Sequence, residues 1–304
     1  MVELMAPSAK DIVCDPACGT CGFLVAVGEY LREKHPEILR DALAREHFHH
    51  GMFHGYDFDN TMLRIGSMNM ALHGVDNPDI RYQDSLAQDH ADDEGRYSLV
   101  LANSPFAGSL DYENTAKDLL AIVNTRKTEL LFLALFLRLL KPGGRAAVIV
   151  PSGVLESSSA AHDSLRKLLV DENRLQGVIS LPHWVFKPYA SVSTAILLFG
   201  RSGQTDSVWF YRLENDGFNN DATKSHRPGS EIQEVIELWQ KRFDDGYQPK
   251  KSKHRFVSRS EIVANDYDLC ERVYLSGYAP GASRWSALPS WHRGTRSTLT
   301  HTPS

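Results

Sequence analysis

Two stretches of this 304-residue chain carry residue types spaced for chemistry. The first is Asp11–Leu24, DIVCDPACGTCGFL. A short apolar run, Ile12 to Cys14, closes on Asp15. A turn holding Pro16, Gly19 and Gly22 follows, and an apolar helix opens at Phe23. Strand, glycine turn and helix together offer backbone N–H groups and a helix N-terminus to a ligand, and glycine lets that ligand approach the backbone closely. The same pattern also reads as a plain strand-to-helix turn. Cys14, Cys18 and Cys21 add the C-x3-C-x2-C spacing with which thiolates hold an iron–sulfur cluster, although Cys14 falls inside the apolar strand. The second stretch is Tyr97–Phe106, YSLVLANSPF, an apolar strand ending in Asn103-Ser104-Pro105-Phe106.

These residues need a sheet to hold them. Phe53–Asp57 reads as a second strand, ending on an acid where nucleotide-binding sheets hold ribose hydroxyls; a strand-end acid also caps the next helix. Ile80 to Asp84 repeats the pattern as a third short strand. Tyr97–Ala102 is the fourth, Arg145–Val150 the fifth, and Gln176–Leu181 and Val192–Phe199 the last two. Helices are expected to Glu33 and over Thr61–His73, Glu129–Leu140, Ser158–Val170 and Ile232–Phe243. The methionines of Thr61–His73 fit core packing. Gly108–Thr125 reads as a polar loop beside the site, a length often functional. His47, His49, His50 and His54 could ligate a metal, but ligands need fixed geometry and second partners, and an exposed helix end is the simpler reading.

Together the two stretches resemble the amino-group methyltransferases that use S-adenosylmethionine. The first is similar to their DPACGTGGFL cofactor loop and the second to their NPPF catalytic tetrapeptide. The family most resembled is the N6-adenine DNA methyltransferases, specifically the modification subunit of type I restriction-modification systems, over about Leu4 to Tyr278. The resemblance implies a Rossmann-like α/β fold with a seven-stranded, mostly parallel sheet and helices on both faces. It implies S-adenosylmethionine as cofactor, held by Asp15, Ala17, Gly19, Thr20, Cys21, Gly22, Phe23, Asp57 and Asp84. It makes Asn103, Ser104, Pro105 and Phe106 the catalytic turn, with no metal. Pro182–Tyr189 is similar to the loop that helps enclose the target base; plain core packing is the alternative for Trp184, Phe186 and Tyr189. Double-stranded DNA, a specificity subunit and a restriction subunit are the implied partners.

Two residues depart from the family pattern. Ser104 stands where the family has proline, and Cys21 where it has glycine, a costly change if the position needs positive φ. The chain starts about ten residues before the first strand, without the family's upstream aromatic-Thr-Pro segment and helical domain, so a truncated or weakened copy is expected. Other readings are an inactive assembly subunit of the same fold, a protein glutamine methyltransferase with a similar turn, and a radical S-adenosylmethionine enzyme, although Thr20 replaces the aromatic usual there.

Composition bounds the rest. Hydrophobic content of 42% with 23% charged residues fits an ordinary globular core. A net charge of −5 argues against this chain alone gripping DNA, whose phosphates need a basic face. The run Lys250–Arg255 is the exception, read first as a solvated face. Four cysteines in this length fit a reducing cytoplasm. The longest apolar run, Leu130–Leu140, is broken by Arg138, and no signal segment opens the chain. The expected organisation is a methyltransferase core over 1–200, a C-terminal extension over 201–278, and a disordered tail over 279–304.

Overall fold

The computed structural model describes residues 1–87, 93–106, 115–221 and 223–276. One sheet organises them. Its strands are β1 (Val13–Asp15), β2 (Phe53–Asp57), β3 (Asp79–Tyr82), β4 (Tyr97–Asn103), β5 (Leu140–Pro151), β6 (Arg174–Ser180), β7 (Thr194–Gly200), β8 (Ser207–Arg212) and β9 (His254–Ser258). They lie in the order β3-β2-β1-β4-β5-β7-β6-β8-β9. Strands β3 to β5 are parallel, β7 runs antiparallel between β5 and β6, β8 is parallel to β6, and β9 is antiparallel to β8.

The α/β class is as expected, but the sheet has nine strands, not seven. Strand β6 would otherwise leave an unpaired edge. Residues beyond Gly200 cover it: β8 pairs with β6 and β9 with β8, extending the same sheet. Strand β9 hides in the basic run, because its charges are already engaged. Lys253 pairs with Glu231 and Glu234, and Arg255 with Glu261.

Alternation along the strands feeds two cores, one on each face. Val148 and Val150 of β5 and Phe210 of β8 pack on one face against Leu130, Leu133 and Phe136 of the helix Thr128–Leu139. Leu99 and Leu101 of β4 and Trp209 of β8 pack on the other with Leu24, Val27 and Leu31 of the helix Gly22–Lys34. Near the other end of the strands, Arg145 clamps Asp11 with two hydrogen bonds of 3.0 Å, and its Nε donates to Met5 O. Burial pushes the Asp11 carboxyl up, but the bonds from Arg145 and Ser98 outweigh it and hold the group at about 2.

Three stretches differ from expectation. Lys117–Ile122 is a helix within the stretch read as a loop, docked by buried Leu119 and by Arg138 on Asp118; residues 108–114 of that stretch lie outside the described residues, as does the tail. The fifth strand, expected over Arg145–Val150, starts at Leu140 and takes in Lys141–Gly144, where the register with β4 shifts. Gly144 is required there, since a Cβ would lie 2.9 Å from Lys141 O and 3.0 Å from Tyr97 O. Ser158–Val170 divides into an α-helix, Ala160–Lys167, and a wider turn, Leu168–Glu172. No helix of the described residues is long and apolar enough to cross a membrane.

Candidate active site at the carboxyl edge of the sheet

Strands β1 and β4 are parallel neighbours, with Val13 opposite Leu99 and Cys14 opposite Val100. The order reverses between them: β1, β2 and β3 run one way from this pair and β4 and β5 the other. A crevice opens outside the carboxyl ends at such a point, and ligands of open α/β sheets bind there. The turn after β1 and the turn after β4 flank that crevice.

The first turn is pinned from several elements. Cys18 N donates to Tyr56 O (3.0 Å), Gly19 N to Asp57 Oδ2 (2.9 Å), Asn69 Nδ2 to Thr20 O (2.9 Å) and Ser85 Oγ to Pro16 O (2.6 Å). Asp57 thus already holds the glycine turn with one oxygen while the other accepts from Asp59 N (2.9 Å). Each carboxylate oxygen can accept a second bond. A Cβ built at Gly19 or Gly22 meets nothing within 4 Å, so the space over the turn is open. Open space, backbone N–H groups and an acid on the next strand suit a nucleoside-bearing ligand. Ala17 N donates to Asp15 Oδ1 (3.1 Å), but burial dominates and pushes that carboxyl up to about 7, with Asp57 adding repulsion. Phe23 is half-buried at the first turn of the helix.

Cys21 adopts φ 61° and ψ 28°, the left-handed region that favours glycine, so the condition under which this departure is costly is met. It is fully buried. A Cβ on Gly66 of the helix Asn60–Leu72 would sit 2.6 Å from its Sγ, so Gly66 makes the room this side chain occupies. The three thiols do not converge. Cys14 packs in one core, Cys18 and Cys21 in the other, on opposite faces of the sheet. Burial raises the Cys14 thiol well above its usual value, and hydrogen bonding with Cys21, then burial, raises Cys18. Neutral, divided thiols do not suit an iron–sulfur cluster. The histidines are likewise engaged separately: His47 with Asp11 O (2.8 Å), His49 with Asp76 (3.3 Å), His54 with Asp79 (2.9 Å).

In the second turn, Asn103 ends β4 with its side chain exposed. Ser104 is 2% exposed, and its hydroxyl donates to Ile149 O of β5 (2.7 Å). That bond ties the turn to the sheet in place of a proline ring. Phe106 is half-buried edge-on against Phe186, ring centroids 4.9 Å apart. Trp184 and Phe186 are half-buried and Tyr189 is 95% exposed, so plain core packing accounts for none of the three. Lys224 Nζ holds this loop through Trp184 O (2.6 Å) and Val185 O (2.7 Å). Asp84 lies two residues past the end of β3 and accepts from Leu86 N (3.1 Å).

Sequence reasoning missed four residues. Asn69, Ser85 and Gly66 act on the turn from far along the chain, with no local signal. Phe58, 71% exposed directly after Asp57, carried one: a large aromatic placed just past a strand end.

Comparison with known proteins assigns the class. Residues 1–279 match the N-6 DNA Methylase family, and the chain belongs to that family. The chain is 29% identical over 272 residues to the type I restriction enzyme EcoEI methylase subunit of Escherichia coli, covering 88% of this chain and 54% of that one. It is 30% identical over 232 residues to the EcoKI methylase subunit of Escherichia coli strain K12, covering 71% and 42%. A chain in a solved structure of the type I R-M system superimposes with a TM-score of 0.76 at 28% identity, covering 95% of this chain and 58% of that one. The chain therefore spans about half the length of the relatives it matches.

Proposed function

We propose that this chain transfers a methyl group from S-adenosylmethionine to N6 of adenine in double-stranded DNA, as the modification subunit of a type I restriction-modification system. The observation that carries the reading is the meeting of the glycine turn and the Asn103 turn on adjacent parallel strands at the reversal of the sheet. S-adenosylmethionine supplies an activated methyl group on a sulfonium. Asp57 accepts the ribose hydroxyls. The backbone from Ala17 to Gly22 lines the cofactor, with Asp15 and Phe23 beneath the turn. Asp84, with Phe58 exposed beside Asp57, is assigned to the cofactor's adenine.

The exocyclic amine of adenine is a poor nucleophile because its lone pair is shared with the ring. Asn103 Oδ1 and the carbonyl of Ser104 accept its two N–H bonds and favour a more pyramidal nitrogen. The Ser104 hydroxyl is committed to Ile149, which leaves the backbone for that task. Pro105 biases Ser104 toward extended geometry. Phe106, backed by Phe186, stacks on the target base, which must leave the duplex to be reached. These contributions are positioning and electrostatics.

A net charge of −5 assigns most of the DNA grip to a partner, a specificity subunit that reads the sequence, with a restriction subunit completing a cytoplasmic assembly. Calorimetry on Asp57→Ala tests the cofactor half. The variant loses the ribose acceptor and the bond to Gly19, and affinity for S-adenosylmethionine should fall by about 1.5–3 kcal/mol. Unchanged affinity in a folded variant removes Asp57 from the site.

A further inference from the structure

A second concavity opens along the same edge, on the far side of the loop that carries Phe186. It has a volume of about 480 Å³ and lies over the ends of β5, β6 and β8 and the start of antiparallel β7. The loop is a shared wall. Phe186 faces Phe106 at the catalytic turn, whereas Pro182 to Trp184 line the cavity.

The lining is specific in kind. Leu155, Leu181 and Leu213 give apolar walls, and Trp184 gives an aromatic one, its indole N–H donating to Asp216 (3.3 Å). Polar residues complete the lining, among them the Glu271 carboxylate. Ser180 Oγ donates to its Oε2 (2.7 Å), and the Cys270 thiol lies 3.6 Å from the same oxygen, which leaves Oε1 for a ligand. Arg272 is engaged by Glu156 and by the Cys270 sulfur, and Arg212 Nη1 donates to Ser252 O (3.3 Å). With Glu156, Glu214 and Glu271 also lining it, the cavity disfavours a phosphate. Leucine and tryptophan walls beside carboxylates, one of them held by Ser180, suit a flat, neutral ring bearing N–H donors.

We propose that this cavity takes the nucleobase next to the methylated adenine on the same strand, with Glu271 accepting from its exocyclic amino group. The inference rests on the function proposed above, which sets the target adenine one loop away. Holding the neighbour on the other side of that loop keeps the strand open around the target.

The test uses the chain with its specificity subunit and a duplex carrying one methylated site, mapped by sequencing DNA that the complex has modified. Binding is measured for this duplex and for two versions with an abasic nucleotide on the 5′ or the 3′ side of the target. One abasic version should bind the parent about tenfold more weakly. Glu271→Gln should lose about the same factor on the intact duplex and nothing further on that abasic one. Ser180→Ala, which frees the carboxylate without removing it, should fall between. The proposal is overturned if neither abasic duplex weakens binding, or if the variant and abasic losses multiply. Failure to methylate DNA at all would instead strike the proposed function, so the two failures are distinguishable.

Discussion

Cys21 carries a side chain in the left-handed region within the glycine turn. A non-glycine residue in the left-handed region costs roughly 1–2 kcal/mol, but this one buries its sulfur in space left by Gly66. Cys21→Gly relieves strain and loses burial worth about 1–2 kcal/mol, so the terms nearly cancel and stability should move by less than about 1 kcal/mol. Gly66→Ala should destabilise the parent despite the better helix propensity of alanine, because its Cβ meets Cys21 Sγ at 2.6 Å. In the Cys21→Gly background much of that penalty should vanish, giving a coupling of about 1–2 kcal/mol by denaturant unfolding. Additive effects would show that the two positions are independent. Asp15 gives a second signature. Its folded value near 7 lies above the ordinary 3.8, so between about pH 4 and 7 the folded chain keeps a proton that the unfolded chain releases. Stability contributed by this group is therefore lost as pH rises through that window, at up to about 1.4 kcal/mol per pH unit. Asp15→Asn should flatten that part of the stability profile; an unchanged slope would place the titration elsewhere.

The elements were legible to different degrees, for physical reasons. Strands β1, β2 and β4 announce themselves because each is an apolar run closed by a polar residue, and those closing residues, Asp15, Asp57 and Asn103, stand at the site. The partners of a strand are not written locally. SVWFYR reads as a strand, but its parallel pairing with β6 depends on a crossover, and the charges of Lys253 and Arg255 conceal β9. The Ser104–Ile149 bond was equally invisible, since it joins residues 45 apart; the sequence alone makes Ser104 a loosened proline, and the structure makes it a tether. The loop Pro182–Tyr189 carried aromatics whose burial could not be read from spacing. Their half-exposure now gives the loop a testable part. Phe186→Ala should leave cofactor affinity unchanged and slow methyl transfer about tenfold, because Phe106 loses the ring that holds it for stacking. An unaltered single-turnover rate would detach this loop from the chemistry.

Across the whole molecule, the carboxyl edge of one sheet concentrates the groups that bear on function. Asp57, the glycine turn, the Asn103 turn, the Phe186 loop and the cavity beside it lie in sequence along it, while the Asp11–Arg145 clamp is set back from it, just before β1 and midway along β5. Helices on both faces keep the strands in register, so the distance between the two turns is fixed by the pairing of β1 with β4 and not by either loop alone. The measurement that bears most directly on the claim of adenine methylation is quantification of N6-methyladenine by nucleoside mass spectrometry, after the chain and a specificity subunit act on unmodified DNA with S-adenosylmethionine. The parent should form it, and Asn103→Ala should form none while its cofactor Kd stays within about threefold, because the proposed function sets Asn103 against the amine and not the cofactor. Formation at the parental rate by Asn103→Ala, or a parent that binds both cofactor and DNA yet forms none, would contradict the account.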